Sequence, residues 1–403
     1  MPIMTDTLRI MHISTRLILG GSQENTVLSC EGQADDGHDV ALVHGPIFGP
    51  EGSMRERVLA HGGIECMEAP SLVRELAPRR DLRAFGECRR LIRDWVPDVV
   101  HTHSSKAGIL GRAAAWSEHV PAVIHTIHGL AFHPYQSRWR NATYIHAERY
   151  AARRCHRIAC VAEAMRDQAL AAGIGTPEMY EIVYSGMDTA SYIEPGVDRA
   201  AIRSRLGLPD EAFVLGTVAR LAELKGHDDL LDALAPVMRE RCELMLLWVG
   251  DGWWRDRLFR RRDELGLTNR IVTTGLVPPE EVPKLLAGID VLAHPSYREG
   301  LPRTVTQSLL GGHAVVAYDV DGTREVCIDG ETGRLVTPGD LDGLRDAVEW
   351  MMDHPRERAS MGRRGQAMCR SRFDARAMVD HLDRLYRDVL AETSAARGGS
   401  SPA

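Results

Sequence analysis

The sequence predicts an α/β protein made of two parallel-sheet units of roughly equal size. Three observations carry this. Apolar runs of strand length alternate with segments of helix length, which implies parallel strands joined by crossover helices. The alternation starts at Leu8, stops in the polar stretch Met187 to Pro209 with its Pro195, Gly196 and Pro209, and then starts again. A length of 403 residues is also that of two domains rather than one. The two units are expected to face one another across a cleft, with Met187 to Pro209 as the linker.

The elements follow in order. Leu8 to Ser14 reads as a strand, Gly20-Gly21 as a tight turn, and Ser22 as the cap of a helix running toward Asp36. Gly37-His38 stops that helix and Val40 to Val43 is the next strand. Arg83 to Val96 is an amphipathic helix with Phe85, Cys88, Ile92 and Trp95 on one face. A strand ends at Val99-Val100-His101, Lys106 to Trp116 is helical, and Ala122 to Thr126 is a strand. In the second half the strands are Phe213 to Val218, Leu244 to Val249, Ile271 to Thr274, Val291 to His294, Ala314 to Tyr318 and Arg334 to Val336. His227 to Met238 is a helix. Phe373 to Ala391 closes the chain as an amphipathic helix, with Met378, Leu382, Leu385 and Val389 in one stripe. Thr393 to Ala403 has the composition of a disordered tail.

Composition narrows the function. Apolar residues make up 44% and charged residues 26%, which excludes a disordered chain or a disulfide scaffold. The charge balance is 49 − 56 = −7 and only 5% of residues are aromatic, a poor basis for binding nucleic acid. No apolar run approaches the ~18 residues of a membrane span. Met1 to Ile10 lacks the pattern of a signal peptide, so a cytoplasmic location is expected. The eight cysteines form no C-x-x-C pair and are expected to be buried, reduced thiols.

Two loops carry the richest chemistry. Pro295 to Arg303, reading PSYREGLPR, follows a strand, and Pro302 suits the first position of a helix to Leu310. Gly300 permits close backbone approach to a ligand, and the helix start favours an anion. Glu299 then sits at the carboxyl end of a strand, where open α/β sheets bind ligands. Arg220 and Lys225 lie on a second strand-to-helix loop and can converge on a diphosphate, Arg as a fork and Lys as a point charge. The plain alternatives are a solvated turn and two solvated cations.

Other features weigh less. His101, His103, His125, His128 and His133 cluster near strand ends, but no carboxylate or Cys completes a metal set. His128, before Gly129, is the best placed to polarise a substrate. Asp319-Val320-Asp321 is a D-x-D that strand exit and turn explain without a metal. Arg83, Arg89, Arg90 and Arg93, with Arg138, Arg140, Arg149, Arg153, Arg154 and Arg157, make the first half basic. They read as solvated helix faces or as a peripheral contact with anionic lipid.

Taken in order, these pieces resemble the family 4 retaining glycosyltransferases of the GT-B fold. The resemblance runs from Leu8 to about Tyr386. It rests on Gly20-Gly21, on His101-Thr102-His103 with Lys106-Ala107-Gly108, on His125 to Gly129, on Arg220 with Lys225-Gly226, on Gly250-Asp251-Gly252, and on His294 to Pro302. The Lys106 to Arg112 and His128 to Leu130 stretches are most similar to capsular and exopolysaccharide members. The resemblance implies two Rossmann-like domains: 1–190 on the acceptor side and 191–372 for the nucleotide sugar. Residues 373–392 would form a helix crossing back to the N-terminal domain, leaving 393–403 as tail.

The resemblance also implies roles. Arg220 and Lys225 would neutralise the donor diphosphate, Glu299 would bind sugar hydroxyls, and the amides of Gly300 and Leu301 would touch the donor. His128 would lie beside the sugar and the leaving phosphate. Gly20, Gly21 and Lys106 fall on the acceptor side, with Gly21 approaching the phosphate. A second Glu, eight positions after the first, usually holds the ribose; here that position is Gln307, which also counts as donor-binding. The implied partners are a nucleotide sugar, by expectation a UDP-sugar, and a saccharide or lipid-linked acceptor, with possible contact at the inner membrane leaflet. No metal, no other cofactor and no nucleic acid are implied. Two alternatives remain: a GT-B nucleotide-sugar epimerase, and a weakened sugar-nucleotide binder in which Gln307 has cost activity.

Overall fold

A computed structural model describes residues 7–48 and 52–398. The chain divides into two compact units, Met1–Met187 with Ala375–Ala403, and Asp188–Asp374. The first is a seven-stranded sheet of β1 (Arg9–Ser14), β2 (Asp39–His44), β3 (Ile64–Glu68), β4 (Val99–His103), β5 (Ala122–Ile127), β6 (Arg157–Cys160) and β7 (Tyr180–Ile182). The second is a six-stranded sheet of β8 (Phe213–Val218), β9 (Leu244–Val249), β10 (Ile271–Gly275), β11 (Val291–His294), β12 (Ala314–Tyr318) and β13 (Gly333–Val336).

The strand orders are β3-β2-β1-β4-β5-β6-β7 and β10-β9-β8-β11-β12-β13. Every pair of neighbouring strands is parallel. Parallel strands need crossover connections, and helices on both faces bury them, so central strands such as Leu244–Val249 read as unbroken apolar runs. In each sheet the strand order reverses once, between β1 and β4 and between β8 and β11. Loops leaving the carboxyl ends of two such strands diverge and open a crevice, the usual ligand position in an open α/β sheet.

Each sheet is packed on both sides. In the first unit, Met11, Ile13, Val43, Val100 and Val123 meet Ala84, Cys88, Ile92 and Trp95 of the helix Pro78–Trp95. On the other face Ile10, Val99, Ala122 and Ile124 meet Met378, Val379, Leu382, Leu385, Tyr386 and Val389 of the helix Ala375–Gly398. The last helix thus completes the core of the unit in which the chain began. In the second unit, Leu230, Leu231 and Leu234 of the helix His227–Glu240 pack on Phe213, Leu215, Leu246 and Trp248.

Several expectations are corrected. The presumed linker contains the helices Thr189–Ile193 and Arg199–Leu206, and all of it after Met187 belongs to the second unit. Its anchor is Arg203, 1% exposed, which binds Asp290 at 2.8 Å and donates to the carbonyls of Gly288, Pro209, Asp210 and Ala212. A polar residue in that role leaves no apolar signal. The first helix starts at Gly21 with Gly20 as its cap residue, so Ser22 lies inside the first turn. Pro302 is the residue before the helix Arg303–Leu310 rather than its first member. The supposed tail is helical as far as Gly398, and 399–403 lie outside the described residues. Cys242 is exposed and Cys66 half-buried, while the other six thiols are buried and all eight are free. No helix among the described residues is long and apolar enough to cross a membrane.

Candidate functional site

In the second unit the two loops singled out by sequence leave β8 and β11 side by side at the strand-order reversal. They are held together by backbone. The amide of Tyr297 donates to the carbonyl of Leu224 at 2.8 Å, and Ser296 Oγ donates to the same carbonyl at 3.2 Å. Gly226 has φ +70, and a Cβ there would lie 2.0 Å from the carbonyl oxygen of Pro295. Glycine is thus required twice over, by backbone conformation and by the closeness of the second loop.

The side chains brought together are Lys225, Glu299, His294 and Ser296. Lys225 Nζ donates to Glu299 Oε1 at 2.6 Å and to Ser296 Oγ at 3.3 Å. His294 Nε2 lies 3.1 Å from the same Glu299 oxygen, and its Nδ1 is 3.2 Å from Thr304 Oγ1. Burial alone would raise the Glu299 carboxyl, but the Lys225 ammonium and the His294 hydrogen bond outweigh it and hold it well below the usual carboxylate range. The Glu299 amide donates to Asp321 Oδ2 at 2.8 Å, and the Gly322 amide to the Gly300 carbonyl at 3.1 Å. A third loop, after β12, therefore fixes the Glu299–Gly300 turn. The D-x-D carboxylates have structural partners, because Asp319 also pairs bidentately with Arg324.

Arg220 is exposed on the first of these loops, with its guanidinium 5.6 Å from the ring centroid of Trp253. Leu301 is buried and Gly300 partly so, just before the helix Arg303–Leu310. Gln307 lies on that helix and is 7% exposed. Sequence reasoning did not assign His294, Ser296 or Asp321 to the frame around Glu299. His294 was visible as a polar residue closing an apolar strand, Ser296 as a member of the PSYREGLPR loop and Asp321 as the second carboxylate of the D-x-D, but their hydrogen bonds to the Lys225–Glu299 pair were not.

In the first unit the histidines form a buried polar layer above the apolar residues of β1, β4 and β5. Alternate strand residues share a face, so His12, His101 and His103 point toward the helices Gly21–Asp35 and Ala375–Gly398. His12 Nδ1 is 2.8 Å from His103 Nε2, and His103 Nδ1 is 3.0 Å from His128 Nε2. Gln33 Oε1 is 2.8 Å from His12 Nε2, and Tyr386 Oη is 2.5 Å from His101 Nδ1. Burial lowers His12 to about 4 and takes His101 and His103 well below the ordinary imidazole value. Ring nitrogens of His12, His101 and His103 lie within 4.8 Å of one another, the geometry of a metal cluster. Each of those rings is already engaged on both nitrogens. His125 faces the other side of the sheet, where its Nδ1 meets the carbonyl of Thr102 at 3.0 Å, and His133 sits in the following loop.

The remaining expected residues are also in this unit. Gly20 and Gly21 are exposed at the start of the helix Gly21–Asp35. Lys106 Nζ is bound to Asp81 Oδ1 at 2.6 Å and ties the starts of the helices Pro78–Trp95 and Ser105–Ser117. His12, Gln33 and Tyr386 were missed by the sequence analysis. His12 had a signal, a polar residue inside the apolar run Arg9–Ser14.

Comparison with known proteins gives two family matches. Residues 19–191 match the model "Glycosyltransferase Family 4" and residues 198–368 match "Glycosyl transferases group 1". The 2-deoxystreptamine glucosyltransferase of Streptomyces kanamyceticus is 30% identical over 282 residues, 68% of this chain and 72% of that one. The UDP-Gal:alpha-D-GlcNAc-diphosphoundecaprenol alpha-1,3-galactosyltransferase of Escherichia coli is 24% identical over 390 residues, 95% of this chain and 97% of that one. Among solved structures, Anabaena HepE in complex with UDP-glucose superposes with a TM-score of 0.78 at 22% identity, covering 96% of this chain and 100% of its own.

Proposed function

The chain belongs to the family 4, group 1 glycosyltransferases of the GT-B fold, and we propose that it is a retaining hexosyltransferase. It moves a sugar from a nucleotide sugar, a UDP-sugar first, to a saccharide or lipid-linked saccharide in the making of a cell-surface polysaccharide. The observation that supports this best is the buried Glu299 carboxylate held against Lys225 at 2.6 Å on two loops joined at a strand-order reversal. A carboxylate kept ionised there accepts hydrogen bonds from sugar hydroxyls. Lys225 spends two of its three N–H donors on Glu299 and Ser296, and the third suits a phosphate oxygen.

The chemistry follows from charge. The anomeric C–O bond breaks, its electron pair leaves with the nucleoside diphosphate, and the sugar becomes oxocarbenium-like, as in glycoside hydrolysis. Arg220 and Lys225 stabilise the charge growing on the phosphate, so the proposal calls for no metal. The acceptor oxygen attacks from the face the phosphate leaves, and a phosphate oxygen takes its proton. Gly300 and Leu301 contact the donor through their amides, Gln307 holds the ribose, and His128 and Gly21 of the first unit meet the sugar and phosphate. Gly20 and Lys106 lie on the acceptor side.

A cytoplasmic enzyme with a lipid-linked acceptor works at the inner leaflet. Leu82 and Trp139 are among the most exposed apolar side chains, beside Arg79, Arg80 and Arg83 and beside Arg138 and Arg140. Apolar groups flanked by cations suit an anionic lipid surface.

The test is thermal stability against UDP, GDP and ADP, each with EDTA. A ligand at 100 times its Kd adds about 2.7 kcal/mol. A rise with UDP in EDTA is expected, and no rise with any of the three, even with Mg²⁺, refutes the donor site. Product analysis with and without acceptor separates transfer from epimerisation, which needs no acceptor.

A further inference from the structure

The buried polar layer of the first unit has a direction. A carbonyl oxygen only accepts, so Gln33 Oε1 facing His12 Nε2 at 2.8 Å puts the His12 proton on Nε2 and a lone pair on Nδ1. His103 Nε2, 2.8 Å from that lone pair, is then a donor, and His103 Nδ1 is an acceptor. His128 Nε2 donates to it at 3.0 Å. A neutral imidazole has one donor and one acceptor, so a single amide oxygen orders three rings. The second arm obeys the same rule. The Gln33 amide nitrogen donates to Tyr386 Oη at 3.3 Å, Tyr386 donates to His101 Nδ1, and His101 Nε2 donates to Thr126 Oγ1 at 2.7 Å. Turning the Gln33 amide by half a rotation would reverse every donor on both arms.

We propose that Gln33, acting through His12 and His103, is a positioning residue that fixes the proton of His128 on Nε2. The inference rests on the reading that His128 touches the sugar or phosphate. Two facts support a lock rather than a conduit or an ion site. The two arms meet at an amide, which does not take up a proton near neutral pH, so it stores orientation and passes no charge from one arm to the other. A cation at His12, His101 and His103 would need converging lone pairs. Those of His12 Nδ1, His103 Nδ1 and His101 Nδ1 are committed to His103, His128 and Tyr386. Desolvation keeps these rings neutral, as one proton per ring requires.

The experiment uses the full chain labelled with ¹⁵N-histidine, with His128→Gln to assign its signals. Two-bond ¹H–¹⁵N correlations show which nitrogen carries the proton. The wild type is expected to show His128 protonated on Nε2, and a proton on Nδ1 there overturns the proposal whether or not any variant folds. Gln33→Leu removes the ordering oxygen. It is expected to mix the His128 tautomers and to lower kcat by at least about tenfold, with donor KM within about twofold. Gln33→Glu keeps an acceptor against His12 and should hold both the tautomer and kcat within about threefold. A folded Gln33→Leu with an unchanged His128 tautomer refutes the lock. So does one equivalent of Co²⁺ binding to the wild type with d–d absorption. Turnover of His128→Ala tests the separate premise: a neutral result sinks the substrate contact while the tautomer spectra still judge the lock.

Discussion

Lys225→Met removes the ammonium from Glu299 and leaves a carboxylate, 14% exposed, with His294 alone. Truncating one partner of a fully buried ion pair costs about 3–5 kcal/mol. Here Lys225 keeps 30% exposure and His294 stays on the same oxygen, which brings the cost to about 2 kcal/mol. For a unit of this size that is a fall in Tm of roughly 4–8 °C. Turnover is expected to fall by about one to three decades, as when one donor to a developing oxyanion is lost. The same range is expected for Arg220→Ala. The two effects of Lys225→Met are separable. In Lys225→Met/Glu299→Gln no buried charge is stranded, so most of the Tm returns while turnover stays low. The assays are thermal unfolding and initial rates with a nucleotide-sugar donor. Turnover of Lys225→Met within threefold of wild type would refute the phosphate assignment, and recovery of turnover in the double variant would show that the loss was one of folding.

Three further outcomes are expected. Gln307→Glu replaces a neutral acceptor by a charged one, and should tighten nucleoside diphosphate binding by about fivefold in calorimetry; unchanged affinity would remove Gln307 from the ribose site. Burial keeps His12, His101, His103 and His125 neutral in the fold, with pKa values lowered from 6.5. The unfolded chain therefore binds more protons as pH falls below about 6.5, and the four rings together cost roughly 5 kcal/mol between pH 7 and 5.5. A Tm that is flat over that window would contradict their burial. Leu82→Asp with Trp139→Asp should abolish flotation with anionic phosphatidylserine vesicles and leave turnover on a water-soluble acceptor unchanged; flotation of the double variant would rule out this face.

The parts of the fold that sequence made visible are those with a local cause. Strands buried on both faces are continuous apolar runs, and β8, β9, β11 and β12 begin and end where the pattern does. The edge strands β3 and β7 escaped notice because Ile64–Glu68 and Tyr180–Ile182 are short and partly polar, with one face less covered. Arg220, Lys225 and Glu299 stood out because strand-to-helix loops with glycine and charge have a recognisable chemistry. The frame around them did not. Asp321 acts on Glu299 only because β11 and β12 deliver their loops to the same end of the sheet, and His294 meets Glu299 only because the loop after β11 turns back on its own strand. Gln33 and Tyr386 meet across 353 residues of chain, and no spacing rule reaches that far.

The closing helix also sets a timetable. Because Ala375–Gly398 supplies Met378, Val379, Leu382, Leu385, Tyr386 and Val389 to the first core, the first unit begins the chain yet is finished last. During synthesis Asp188–Asp374 has its whole sequence available before the earlier unit does. At about 5–20 residues per second the amino-terminal sheet waits roughly 10–40 s for its final layer. Over that time the faces of Ile10, Val99 and Ile124 have no cover, and a nascent chain stalled before Ala375 holds one complete unit and one open sheet. A ribosome-bound chaperone has its longest task on the half of the protein that emerged first.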